Sequence, residues 1–212
     1  MERFKYPRTF HLPFSKTLSS DDKFLKDFAL LEDNEVVATI KMDGENTTGY
    51  PDGYSHARSI DSKGHPSRDW FKEFWATKSY NLPENFRICG ENLFAKHSIH
   101  YQNLKSYFYG FSVWENDQCL NWDDTLEWFE LLGIEPVKEL YRGKFDMGML
   151  ESLVDQLDPN VDEGFVVRLA SNIRYHEFSK SFCKYVRSNH VTTDQHWMHK
   201  QVEKNGIITD NF

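Results

Sequence analysis

Apolar residues recur along this chain in two patterns, helical spacing and short near-continuous runs, and together they mark out alternating helices and strands. Phe24, Leu25, Phe28 and Leu31 predict a helix over 21–31 with Ser19 or Ser20 as its cap. Trp70, Phe71, Phe74 and Trp75 predict a second, beginning after Ser67 and ending near Lys78, ahead of Asn81-Leu82-Pro83. A third begins at Asp123 or Asp124, carries Leu126, Phe129 and Leu132, and stops at Gly133; a fourth covers 146–157. The runs 35–41, 87–91, 107–114, 164–169 and 182–186 read as strands. With no repeat and no low-complexity segment, the pattern is that of one α+β unit in which helices clad the sheets.

Composition narrows the class. A chain of 212 residues with 39% hydrophobic content holds one good core, so 1–212 is expected to be a single domain. Cys89, Cys119 and Cys183 are odd in number and widely spaced, which favours reduced thiols over disulfides or a zinc site. No apolar run approaches the ~18 residues of a membrane span, and Met1 to Pro7 carries no signal core. A cytoplasmic protein with no membrane partner is therefore expected. The net charge of −8 argues against a basic coat for nucleic acid but leaves room for a local basic groove. Most of the aromatic residues, 16% of the chain, belong to the core, with a few available to stack on bases.

Candidate chemistry gathers on and beside the strands. Lys41-Met42-Asp43-Gly44-Glu45-Asn46 follows an apolar strand. A lysine there can act as a desolvated amine nucleophile, the acid two residues on can position a metal, and glycine lets phosphate approach the backbone. Gly90-Glu91-Asn92 ends one strand and Asp162-Glu163-Gly164 begins another. An acid beside glycine is most often a turn residue. With Asp43, however, Glu91 and Glu163 make three carboxylates able to converge on one hard cation such as Mg2+, which takes oxygen ligands and keeps several waters.

In chain order, Lys41 to Asn46, Arg58-Ser59, Gly90-Glu91-Asn92, Phe111-Ser112-Val113, Asp162 to Arg168 and Lys184-Tyr185-Val186-Arg187 resemble the motif series of the covalent nucleotidyltransferases. Asn46 and the stretch Glu91 to Tyr101 bring the resemblance nearest to the ATP-dependent RNA ligases, and it extends from Tyr6 to Trp197. The resemblance implies a ligase-type nucleotidyltransferase fold, with antiparallel sheets forming a nucleotide pocket. It also implies joining of RNA 3′-hydroxyl and 5′-phosphate ends, in a nicked duplex or as single strands, through a lysyl-adenylate. ATP would be the substrate and Mg2+ the metal, with Mn2+ able to substitute.

By the same resemblance Lys41 is the nucleophile, and Lys184 offsets charge on the α-phosphate. Arg58 contacts phosphate or ribose, Glu91 holds the ribose hydroxyls, Phe111 stacks on adenine, and Glu163 organises the metal with Asp43 and Glu91. Asn46, Arg58, Lys96 and Arg187 are candidates for RNA contacts, with His97, His100, His190 and His196 as weaker ones. Two departures stand out. Ile40 occupies the place before the nucleophile where many relatives have a glutamate that reads adenine, and Val186 stands where a second lysine is usual. The chain also ends shortly after the last motif, so the appended OB-type module that many ligases carry is not expected. A GTP-using capping-type enzyme and a non-catalytic nucleotide- or RNA-binding module are the rival readings.

Overall fold

A computed structural model describes residues 2–16, 23–187 and 202–208. Along the chain its strands are β1 (Phe10–His11), β2 (Glu35–Lys41), β3 (Glu45–Gly49), β4 (Ser55–Ala57), β5 (Phe86–Asn92), β6 (Phe108–Glu115), β7 (Gln118–Cys119), β8 (Glu135–Pro136), β9 (Glu139–Lys144), β10 (Gly164–Leu169), β11 (Ile173–Arg174) and β12 (Phe182–Val186). Four helices interleave with them: α1 (Asp69–Ala76), α2 (Trp122–Leu132), α3 (Met147–Ser152) and α4 (Phe178–Ser181). No helix among the described residues is long and apolar enough to cross a membrane.

The strands make two largely antiparallel sheets. The smaller runs β1-β12-β10-β2-β9, and the larger runs β11-β7-β6-β5-β3-β4 with β8 beside β6. Directly opposed residues share a face. In the smaller sheet Ile40 pairs with Phe165 and Phe165 with Tyr185, which puts one apolar row on one face. The next row, Lys41, Gly164 and Val186, points to the other face, together with Thr39, Val166 and Lys184. In the larger sheet Gly49, Ile88, Phe108 and Val113 face the helices, where Phe71, Trp75, Phe129 and Leu132 complete a core. Asn46, Thr48, Cys89 and Glu91 take the opposite face.

The pattern-based strands at 35–41, 164–169 and 182–186 are found at those bounds, and two expected helices need adjustment. The third helix starts one residue earlier, at Trp122, because the Asn121 side chain accepts the Asp124 N–H at 2.9 Å; Asp123 and Asp124 then sit in the first turn, where the helix dipole favours them. The fourth is α only over Met147–Ser152 and tightens into a 3-10 turn over Leu153–Gln156.

The helix expected over 21–31 is a correction. Ser19 to Asp22 lie outside the described residues, and from Lys23 on the backbone runs extended beside β1. His11 N–H donates to Lys23 C=O at 2.7 Å, and Leu25 N–H donates to His11 C=O at 2.8 Å. Leu25 and Leu31 are buried all the same, so the core demand behind the helical spacing is met by an extended segment and a turn.

Packing over β3 is tight enough to test. A Cβ placed on Gly49 would lie 2.4 Å from Cε2 of Trp75, whose indole N–H is tied to Tyr50 C=O at 2.8 Å. Gly49→Ala is expected to cost about 1–3 kcal/mol, measured by urea unfolding, because the held indole cannot give way freely.

Candidate active site

β2 belongs to the smaller sheet and β3 to the larger, so Met42-Asp43-Gly44 is the crossing from one to the other. Only a residue without a side chain fits its last position: a Cβ on Gly44 would come within 2.7 Å of Asn92 C=O and 2.6 Å of the Leu93 side chain. Lys41, the last residue of β2, pairs with Gly164, the first of β10, which brings Glu163 beside it. The Lys41 ammonium is hydrogen-bonded to Glu163 Oε2, with the carboxylate almost fully buried. Across the junction Glu91 is paired with Asn46 and accepts the Gly44 N–H at 3.2 Å.

The electrostatics follow from this packing. Burial by itself would push the Lys41 pKa down; the carboxylates of Glu163, Glu91 and Asp43 outweigh it, and the pKa is raised. The nucleophile candidate therefore rests as an ammonium, not as the free amine that a desolvated strand end suggests. Glu91 is pushed up to about 8, first by burial and then by the repulsion of Glu163 and Asp43, with Lys41 and the Gly44 amide pulling the other way. Near neutral pH the site thus carries the Lys41 ammonium and a Glu91 that is largely protonated.

Asp43 differs from its expected role. Its Oδ2 accepts two backbone N–H groups, Ser98 and Ile99, each at 2.7 Å, and its own N–H donates to Tyr101 Oη at 2.9 Å. Among the described residues no group of three or more His, Cys, Asp or Glu is arranged to hold a metal ion, so the expected Asp43–Glu91–Glu163 set is not assembled. The donor chemistry that remains does suit a hydrated divalent cation. Glu91 and Glu163 are carboxylates that repel one another, and oxygen donors acting through bound waters are what Mg2+ accepts.

The other expected residues sort into three groups. On the site's faces, Asn46 sits opposite Glu91 with its Oδ1 buried and lacking a hydrogen-bond partner among the described residues, and Lys184 lies on the Lys41 face of its sheet. Arg58 comes one position beyond the Ala57–Thr47 pair, level with Asn46, and its pKa is lowered by partial burial and by the like charge of Arg8. Phe111 falls at the irregularity in the β5–β6 ladder and meets the Tyr6 ring edge-on, with centroids 5.3 Å apart.

A second group is engaged within the protein. Lys96 Nζ pairs with Glu203 at 3.0 Å, and the same carboxylate lies 3.7 Å from His100. Arg187 donates through Nε to Asp162 C=O at 2.8 Å and through its backbone N–H to Glu163 C=O at 3.1 Å, so it braces the turn that carries Glu163. The third group, His190 and His196, lies outside the described residues.

Residues that were given no role of their own complete the junction. Tyr6 and Arg8 come from the first strand's approach, and Tyr101 arrives from the loop after β5. A cavity of about 890 Å3 opens beside Tyr101, lined by Ile40, Met42, Tyr109, Trp122 and Asp162 among others. It reaches the neighbours of Lys41 and Glu163 but not those two side chains, so it flanks the reactive group.

Several solved structures share the fold. An archaeal ATP-dependent RNA ligase superposes with a TM-score of 0.59 at 15% identity over 86% of this chain and 48% of its own. A putative ATP-dependent DNA ligase from Aquifex aeolicus gives 0.57 at 16% over 88% and 50%. A Naegleria gruberi RNA ligase determined with ATP and Mn gives 0.52 at 14% over 84% and 58%. The chain thus spans about half the length of the solved structures it resembles, and identities this low bear on the fold alone. No curated protein matches it. The family model for RNA ligase covers residues 34–186, well over half of the chain, and the protein belongs to the RNA ligase family.

Proposed function

We propose that the protein is an ATP-dependent RNA ligase that works through a lysyl-adenylate on Lys41. The observation that carries this reading is the placement of Lys41 at the sheet junction, hydrogen-bonded to Glu163 and facing Glu91, in a chain of the RNA ligase family. In the first step the Lys41 ammonium gives up a proton, Nζ attacks the α-phosphorus of ATP, and the bond to the β-phosphate oxygen breaks to release pyrophosphate. The AMP then passes to the 5′-phosphate of an RNA strand, regenerating Lys41. A 3′-hydroxyl attacks that activated phosphate, joins the ends and expels AMP.

Each step is phosphoryl transfer and needs the same alignment and charge neutralisation, so one site serves all three. Glu163 holds Nζ in place and is the nearest base to take its proton. Glu91 offers a carboxyl to the ribose hydroxyls, and Lys184 supplies positive charge at the α-phosphate. Phe111 gives the base a face to stack on. Asn46 and Arg58 are aligned for the nucleic-acid end or the phosphates, and the partnerless Asn46 Oδ1 is a group that a bound ligand would satisfy. Mg2+ fits beside Glu91 and Glu163, where it would neutralise phosphate charge and weaken the carboxylate field that keeps Lys41 protonated. Ile40 has no side-chain acceptor for the adenine amino group, so base choice falls to backbone carbonyls and packing.

Incubation with Mg2+ and α-labelled ATP or GTP tests this directly. Intact-mass analysis should show one AMP per chain, mapped to the peptide containing Lys41, and the adduct should chase into sealed RNA. No adduct with either nucleotide would sink the proposal. A guanylate adduct alone would point instead to the capping-type reading.

A further inference from the structure

We propose that Asn205 is a positioning residue for the Lys41 reaction: the 202–208 segment is a strap that fixes the loop after β5, and that loop fixes Asp43 beside the nucleophile. This rests on Lys41 being the nucleophile.

Asn205 is 3% exposed, and every polar group it has is used. Its backbone N–H donates to Phe94 C=O at 3.1 Å, and its C=O accepts the Tyr107 hydroxyl at 2.9 Å. Its side-chain Nδ2 donates to Leu93 C=O at 2.8 Å, and its Oδ1 accepts the Tyr101 N–H at 2.9 Å. On either side the strap keeps to the same loop. Lys96 N–H donates to Glu203 C=O at 2.8 Å, Gly206 N–H to Tyr101 C=O at 2.8 Å, and Leu104 N–H to Gly206 C=O at 3.0 Å.

The far side of that loop ends on one residue. Ser98 and Ile99 give their N–H groups to Asp43 Oδ2, and Tyr101 accepts the Asp43 N–H on its hydroxyl. Tyr101 therefore joins strap to site within a single residue, with its backbone N–H on Asn205 and its Oη on Asp43. Asp43 is two residues from Lys41, in the crossing between sheets, so its placement sets the direction from which β2 delivers Nζ. A segment that only stabilised the protein would have no need to converge its bonds on this loop.

The expected effect is on the chemical step. In the full-length chain, Asn205→Ala should lower the single-turnover rate of Lys41 adenylylation about ten- to a hundred-fold, the scale of a small misplacement in a near-attack geometry, with little change in KM for ATP. Tyr101→Phe, which keeps the strap bond and loses only the bond to Asp43, should do the same. The double variant should be no slower than the worse single, because both cut one path. Amide hydrogen exchange at Ser98 and Ile99 should quicken in Asn205→Ala. Gly49→Ala, which destabilises a part of the larger sheet away from this path, should lower stability and leave the rate constant unchanged.

A wild-type rate constant in both single variants, or rate losses that simply add in the double, would overturn the proposal. Should Asn205→Ala fail to fold, Tyr101→Phe carries the test. If the wild-type protein forms no adduct at all, the nucleophile reading has failed, whereas the exchange measurement still reports whether the strap governs the Asp43 loop.

Discussion

Lys41→Ala is expected to abolish covalent nucleotide transfer, a loss of about 10^4-fold or more, since no other group can take the place of the attacking nitrogen. Lys41→Arg should be just as inactive in adduct formation, although its guanidinium keeps a positive charge beside Glu163; its pKa is too high to yield a neutral nucleophile near neutral pH. The two variants should part company in stability. Glu163 is 6% exposed and hydrogen-bonded to Lys41, so alanine takes the Lys41 charge away from a buried carboxylate. The cost is about 1–3 kcal/mol, discounted for the partly open Lys41 end. Because Lys41 holds down the raised pKa of Glu91, a Glu91 that loses it can escape by protonation, and the deficit should be smaller at pH 6 than at pH 9. Intact-mass analysis with ATP and urea unfolding at the two pH values check both halves. An adduct retained in Lys41→Arg would mean that another residue is the nucleophile.

The residues that could be read from the sequence are those whose neighbours are set by strand order. Val36 to Ile40, Phe165 to Leu169 and Phe182 to Val186 are apolar runs that can only be buried strands. Once β2, β10 and β12 lie side by side, register puts Lys41 and Lys184 on one face, and the Lys41–Gly164 pair brings Glu163, the residue before β10, to the same end. β3 escaped notice because Glu-Asn-Thr-Thr-Gly has no apolar alternation; its stability comes from pairing on both sides, with β4 and β5. β9 is an edge strand with a mostly solvent-facing pattern, and its apolar pair Leu140-Tyr141 is too short to mark a strand.

Asp43 was visible as an acid, but its employment was not. Its partners are the backbone N–H groups of Ser98 and Ile99, and a backbone donor has no sequence signature. The Lys96–Glu203 pair spans 107 residues and the Tyr101–Asn205 bond spans 104, so neither is accessible to local pattern. The extended path of 23–28, where apolar spacing suggests a helix, has a related cause. Spacing reports which residues must be buried, whereas the hydrogen bonds to His11 decide by which backbone path they get there.

Glu91→Gln should separate function from stability at the same position. In the unliganded protein the Glu91 carboxyl titrates near 8, far above its ordinary value of 4.5, because burial and then Glu163 and Asp43 disfavour its charged form. A carboxyl whose pKa is raised by folding contributes nothing unfavourable while protonated, below about 4.5. As pH climbs from there to about 8 the unfolded chain releases the proton and the folded chain resists, so stability is lost across that window. Glutamine keeps the shape and cannot ionise. The metal-free variant should therefore match wild type near pH 5 and exceed it by about 2 kcal/mol at pH 9, a figure well below the full shift because Lys41 loses an attractive partner in the exchange. Adenylylation should move the opposite way, falling about 10^2-fold or more, since an amide neither accepts as strongly from ribose hydroxyls nor offsets a cation. Thermal melts in EDTA from pH 5 to 9, set beside single-turnover adduct formation, would expose the trade. A variant no more stable than wild type at pH 9 would mean that Glu91 is ionised at no cost in the free protein, and the charge balance assigned to the site would be wrong.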